Sequence, residues 1–196
     1  DENLLKKQVC DFLTSYGVGR KKAREAFAEA QDAQHSYVTD IQQRAAQILA
    51  KSRREGRLTI LLAGRPYHTD PLIQHKLSEM IAALGVNVIS DDIVRGDMKT
   101  GAGDTPLVRQ WAYMNRLIKA AQWCAEQPSD VHYVQMTSFG CGPDSFIQDE
   151  IRTIMKNHGK PYTLLKIDDV SNIGSLKLRV RSLIESLSGQ KQSGHT

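Results

Sequence analysis

Along the first 56 positions, apolar residues recur at mixed steps of three and four, at Ala26, Phe27, Ala30, Ala33, Tyr37, Ile41, Ala45, Ile48 and Leu49. The stretch holds no proline and few β-branched residues, so the spacing predicts a long helix. A short helix over residues 3–15 precedes it, and Gly17-Val-Gly19 separates the two because paired glycines penalise helix continuation. The long helix should end near Gly56, after Arg53 and Arg54, whose charges suit a helix C-terminus. Its stripe of Phe27, Tyr37, Ile41 and Ile48 needs a packing partner, and residues 41–49 are expected to pack on the domain that follows.

From Arg57 the pattern changes to short apolar runs alternating with amphipathic stretches. Runs without period-two alternation at residues 58–63, 131–137 and 162–167 predict central strands buried on both faces, and residues 86–89 supply a further strand. Between the first two strands, Thr69-Asp70-Pro71 reads as a helix cap with proline at the first helical position. That helix would bury Ile73, Leu77, Met80, Ile81 and Leu84 and stop at Gly85. A polar loop follows over residues 95–105. A helix from Pro106 carries Leu107, Trp111, Met114, Ile118 and Ala121, another after Ser145 carries Ile147, Ile151 and Ile154, and a last one carries Leu176, Val180, Leu183, Ile184 and Leu187. Ser145 and Gln148 have capping-box spacing.

Four alternations of strand and helix give an α/β class: a Rossmann-like or flavodoxin-like three-layer domain with a four-stranded parallel sheet in order 2-1-3-4. The expected organisation is a helical arm over residues 1–56, the α/β domain over 57–187 and a polar tail over 188–196.

Composition narrows the function. The 26 Lys+Arg exceed the 22 Asp+Glu by four, and the excess is split between 11 against 8 in residues 1–57 and 15 against 14 beyond. Such diffuse charge on a helical face argues against nucleic acid as a partner. No stretch approaches the roughly 18 apolar residues of a membrane span, and the start DENLLKKQVC lacks a signal-peptide pattern. Three cysteines at irregular spacing, Cys10, Cys124 and Cys141, make no disulfide framework, and a reducing cytoplasm is the expectation. With no initiator methionine, the chain reads as a piece of something longer.

In an open parallel sheet, ligands bind beyond the carboxyl ends of the strands where strand order reverses. For order 2-1-3-4 the loops meeting there are Gly64-Arg-Pro-Tyr-His-Thr-Asp70 and Ser138-Phe-Gly-Cys-Gly-Pro-Asp-Ser145, with no GxGxxG and no GxxxxGK[ST] in the chain. Arg65, Tyr67 and His68, with Gly64 allowing close approach, could hold a phosphate or carboxylate. The bland alternative pairs Arg65 with Asp91, Asp92 or Asp144. Cys141 lies between Gly140 and Gly142 ahead of a helix whose dipole would favour a thiolate, a metal ligand or nucleophile, unless the glycines serve only the turn. Asp144 and Ser145 complete the candidate set. No nucleophile elbow is present, which argues against a hydrolase. Asp91-Asp92 and Asp168-Asp169 follow strands two and four, where carboxylates could bind a hard cation or a ribose hydroxyl, but paired acids there more often serve as turn and cap residues; Thr100-Gly-Ala-Gly-Asp-Thr105 could wrap a phosphate, though no lysine follows it, and its length suggests a mobile lid.

Three of these segments, Leu62-Ala-Gly-Arg-Pro-Tyr-His68, Met136-Thr-Ser-Phe-Gly-Cys-Gly-Pro-Asp-Ser145 and Gly159-Lys-Pro-Tyr-Thr-Leu-Leu-Lys-Ile-Asp168, occur in order. Together they resemble a domain of the large proteins related to the activator (activase) of 2-hydroxyacyl-CoA dehydratases, where it accompanies BadF/BadG-type ATPase domains. The resemblance implies a Rossmann-like module similar to the dehydratase subunits and a parent engaged in ATP-dependent low-potential electron transfer. Its other domains, including the ATPases, would be partners, and an acyl-CoA or other anionic small molecule the ligand. By the same resemblance Cys141 would be a ligand of a [4Fe–4S] cluster, completed by other domains or chains because such a cluster needs several thiolates. The isolated domain is not expected to turn over substrate. The alternative is a redox-silent module for an anionic metabolite, or a docking domain.

Overall fold

The computed structural model describes residues 1–95, 111–138, 142–167 and 173–193. The chain forms two compact units, residues 1–43 and 44–196. In the first, α1 (Glu2–Ser15) begins at Asp1, whose carboxylate accepts from the amides of Asn3 and Leu4. It ends at Gly17, which takes φ +87°, a conformation open to glycine at little steric cost. The long α2 (Arg20–Glu55) follows, and Cys10, Ala23 and Phe27 make a small apolar cluster with Val9, Leu13 and Val18. Tyr37 of the predicted stripe is exposed.

The last turns of α2 belong to the second unit. There Ala45 and Leu49 are buried, and buried Ser52 accepts from the Thr59 hydroxyl and donates to the Arg57 carbonyl, tying the helix end to the first strand.

The sheet consists of β1 (Thr59–Ala63), β2 (Asn87–Ser90), β3 (Val131–Thr137) and β4 (Tyr162–Lys166), all parallel, in order β2-β1-β3-β4. Among the described residues, the α-helices that accompany it are α3 (Leu77–Ala83), α4 (Ala112–Glu126), α5 (Gly142–Asn157) and α6 (Ile173–Ser193). Ile60, Leu62, Val134 and Met136 pack with Leu77 and Ile81 of α3 and with Leu176, Val180, Ile184 and Leu187 of α6. From β3 the buried Tyr133 donates to the Leu117 carbonyl of α4. Lys160 pins the end of α4 to the start of β3 by donating to the carbonyls of Cys124, Pro128 and Val131.

β1 and β3 are buried throughout, as their apolar runs require, whereas the third run predicted to be central is an edge strand: β4 is only half-buried over Tyr162, Thr163 and Leu164. Order 2-1-3-4 itself leaves β4 with one neighbour, and helix cover makes up for an apolar sequence at the edge.

The helix expected from Pro71 is interrupted. Asp70 caps one turn, accepting from the amides of Leu72 and Ile73, but His75 and Lys76 then adopt φ +51° and +57°, so α3 starts afresh at Leu77. The break turns Ile73 out to solvent and leaves Leu84 exposed, while Leu77 and Ile81 keep their core positions. Trp111, expected on the buried face of α4, precedes that helix and is exposed. The polar end predicted as a tail from residue 188 stays helical as far as Ser193. The predicted lid at residues 100–105, the helix start at Pro106 with Leu107, and Asp168-Asp169 lie outside the described residues.

Candidate functional site

β1 and β3 are neighbours, so the turns leaving them meet at the carboxyl edge of the sheet. After β1 the chain enters a short 3-10 helix (Pro66–Thr69), which folds back so that the Arg65 amide donates to His68 Nδ1 at 3.1 Å. This closure needs Gly64: a Cβ there would stand 2.6 Å from His68 Nδ1. The amide of Gly64 donates to Asp91 Oδ1 at 3.2 Å.

His68 is wholly buried, and its Nε2 lies 2.8 Å from Ser138 Oγ at the end of β3. Because Nδ1 accepts from a backbone N–H, the neutral ring carries its proton on Nε2 and donates it to Ser138. Burial holds the imidazole below its usual range, opposed by Asp144 and reinforced by Arg65.

Arg65 reaches across to Asp144 in α5. Its Nε and Nη2 donate to Oδ1 at 3.2 and 2.9 Å, and Oδ2 accepts from Thr137 Oγ1 at 3.0 Å. Asp144 is 2% exposed, so this is a buried, fully engaged carboxylate. The Arg65 guanidinium also lies 5.5 Å from the Tyr113 ring centroid and 6.0 Å from that of Tyr67. Tyr67, itself exposed, meets His68 edge-on.

Beside this lies a second group of charges. Arg116 Nε donates to Asp91 Oδ2 at 2.5 Å, its Nη1 is 3.4 Å from Asp92, and Arg95 donates to Asp92 at 2.5 Å. Burial raises the Asp91 carboxyl above the usual range despite Arg116.

Of the residues singled out from sequence, Gly64, Arg65, Tyr67, His68 and Asp144 come together here, and Gly142 is the first residue of α5. Ser145 departs from expectation: α5 starts three residues before it, so it lies inside the helix, exposed, and its capping box with Gln148 does not form the start. Gly140 and Cys141 lie outside the described residues. Sequence reading missed Thr137, Ser138, Tyr113 and Arg116. Ser138 stood in the highlighted turn, and Arg116 stands beside the apolar stripe of α4, where a cation next to buried positions calls for a partner.

Among the described residues, no group of three or more His, Cys, Asp or Glu side chains could hold a metal ion. Cys10 is in the apolar cluster of the first unit, and burial pushes the Cys124 thiol up to about 12 while it donates to the Val131 carbonyl. Neither fits a thiolate ligand.

The turn built around Gly64, Arg65 and His68 lies within a stretch assignable by sequence comparison. Residues 1–94 match the family model of the CoA enzyme activase uncharacterised domain (DUF2229). The matched stretch takes in both N-terminal helices, β1, the Arg65–His68 turn, α3 and β2, and runs as far as the turn that holds Asp91 and Asp92. No curated protein matches the chain. Among the described residues, no helix is long and apolar enough to cross a membrane.

Proposed function

We propose that this chain carries the α/β module of a multidomain, cytoplasmic CoA enzyme activase-type protein, and that the carboxyl edge of the sheet, at the ends of β1 and β3, receives the anionic part of a CoA-linked substrate. ATPase domains elsewhere in the parent would be its partners. The observation that carries this reading is the tautomer fixed at His68. With Nε2–H donated to Ser138, the Ser138 hydroxyl keeps its own proton to offer to an anionic oxygen, and α5 starts four residues further on, at Gly142, with the positive end of its dipole. The same tautomer argues against Ser138 as a nucleophile, since a general base would need its lone pair on Nε2.

Calorimetric titration with CoA tests this. Saturable binding that weakens about tenfold in Ser138→Ala is expected, the loss of one hydrogen bond to a charged group. Equal affinity in that variant overturns the assignment.

The iron–sulfur cluster and electron-transfer role implied by the resemblance rest on Cys141 and on thiolates from beyond this chain, because Cys10 and Cys124 do not fit. Anaerobic reconstitution of the full-length parent protein with iron and sulfide should give visible absorbance that is lost in Cys141→Ser. A colourless product withdraws the cluster and leaves a redox-silent binding module.

A further inference from the structure

The second unit carries an open groove of about 1250 Å³ between α3 and α6, lined by residues other than those gathered at the ends of β1 and β3. Its apolar lining includes Leu72, Met80, Leu84 and Leu178, of which Leu72 and Leu178 are 78% and 68% exposed. Lone exposed leucines need no explanation, but several lining one groove form a patch of the kind that marks a contact surface.

A second observation concerns the backbone. His75 and Lys76 both line this groove, and both hold the left-handed conformation that is costly for a residue with a side chain. Consecutive residues in that conformation are retained where the local shape is worth its strain. Here they end one helical turn and restart the chain as α3, which sets Leu72 and Lys76 along one wall of the groove.

The third observation is charge. Lys76, Lys177 and Arg181 line the groove against one carboxylate, Glu79, and no ion pair engages any of the four among the described residues. We propose that the α3/α6 groove docks an acidic amphipathic helix of a partner protein, its apolar stripe on the leucines and its carboxylates on the three cations. Size favours a polypeptide. The groove exceeds the roughly 300–1,000 Å³ of small-ligand pockets. The seven residues of α3 give walls of about 10 Å, enough for some two turns of a helix read through anchors at i, i+3, i+4 and i+7.

The test uses the full chain and a labelled synthetic helix with leucines at those spacings and glutamates on both flanks, followed by fluorescence anisotropy. Saturable binding is expected, weakened at least tenfold by Lys177→Glu with Arg181→Glu and several-fold by Leu178→Ala. All three positions are exposed, so circular dichroism should stay unchanged. The proposal is overturned by absence of saturable binding, by equal binding of the same helix with lysines in place of glutamates, or by indifference to the charge reversal. It is also overturned if decanoate or vesicles containing phosphatidylglycerol engage these residues while the peptide does not.

Discussion

The carboxyl edge of the sheet and the α3/α6 groove hold similar numbers of charges and treat them in opposite ways. At the edge, the carboxylates of Asp91, Asp92 and Asp144 are each buried against an arginine: Arg65 joins the turn after β1 to α5, Arg116 joins α4 to the turn after β2, and Arg95 closes that turn on Asp92. In the groove, Lys76, Lys177 and Arg181 stand exposed among leucines. Buried charge is costly unless paired, so the edge uses its arginines for positioning and leaves short dipoles, such as the Ser138 hydroxyl, to meet a ligand. Exposed charge costs little, and the groove keeps its cations available for a second molecule.

The difference can be broken most forcefully at Arg65. Arg65→Met leaves Asp144 buried beside Thr137 without its cation and should cost about 3–5 kcal/mol in urea unfolding. Adding Asp144→Leu should recover a large part of that loss. A cost below about 1 kcal/mol for Arg65→Met would show that the pair braces nothing.

Gly64→Ala comes next. Its new Cβ would stand 2.6 Å from His68 Nδ1, so the turn must shift, at about 1–3 kcal/mol of stability. Among the described residues, nothing lies within 4 Å of a Cβ at Gly142, and Gly142→Ala should leave the melting temperature nearly unchanged.

A smaller effect is expected from pH. His68 is held below its ordinary value of 6.5 by burial, so the unfolded chain takes up a proton first as the solution is acidified. The stability of neutral His68 is fully present above pH 6.5 and declines as pH falls toward the folded-state value. Protonating Nδ1 also removes the acceptor for the Arg65 amide. His68→Asn should flatten the slope of unfolding free energy in this window; an unchanged slope assigns the titration elsewhere.

The smallest effect belongs to the groove. Lys76→Gly removes a left-handed non-glycine residue at φ +57° and should stabilise by about 0.5 kcal/mol, strain relief being offset in part by a looser unfolded chain. The same change should weaken the acidic helix.

The sheet was legible in sequence because its signal is collective. The apolar runs around Leu61 and Val134 exclude a solvent-facing side, and alternation with helices then dictates parallel order 2-1-3-4. The edge position of β4 was not, since Leu164 and Leu165 read like any central strand and only the number of neighbours tells them apart. The restart at His75 was nearly as hard to read: histidine is enriched at positive φ only relative to a low base, and lysine does not announce it at all. At the site, glycines and chemically loaded turns identified Gly64, Arg65, His68 and Asp144, but Ser138 and Arg116 act through pairings 70 and 25 residues away in sequence, which spacing alone does not carry.

Amide chemical-shift mapping of the ¹⁵N-labelled chain titrated with CoA addresses both regions at once. The crevice reading predicts saturable shifts confined to Gly64, Arg65, His68, Ser138 and the first turn of α5, with Leu72, Met80 and Leu178 unmoved. Shifts confined to the α3/α6 groove, or none at millimolar CoA, would contradict it.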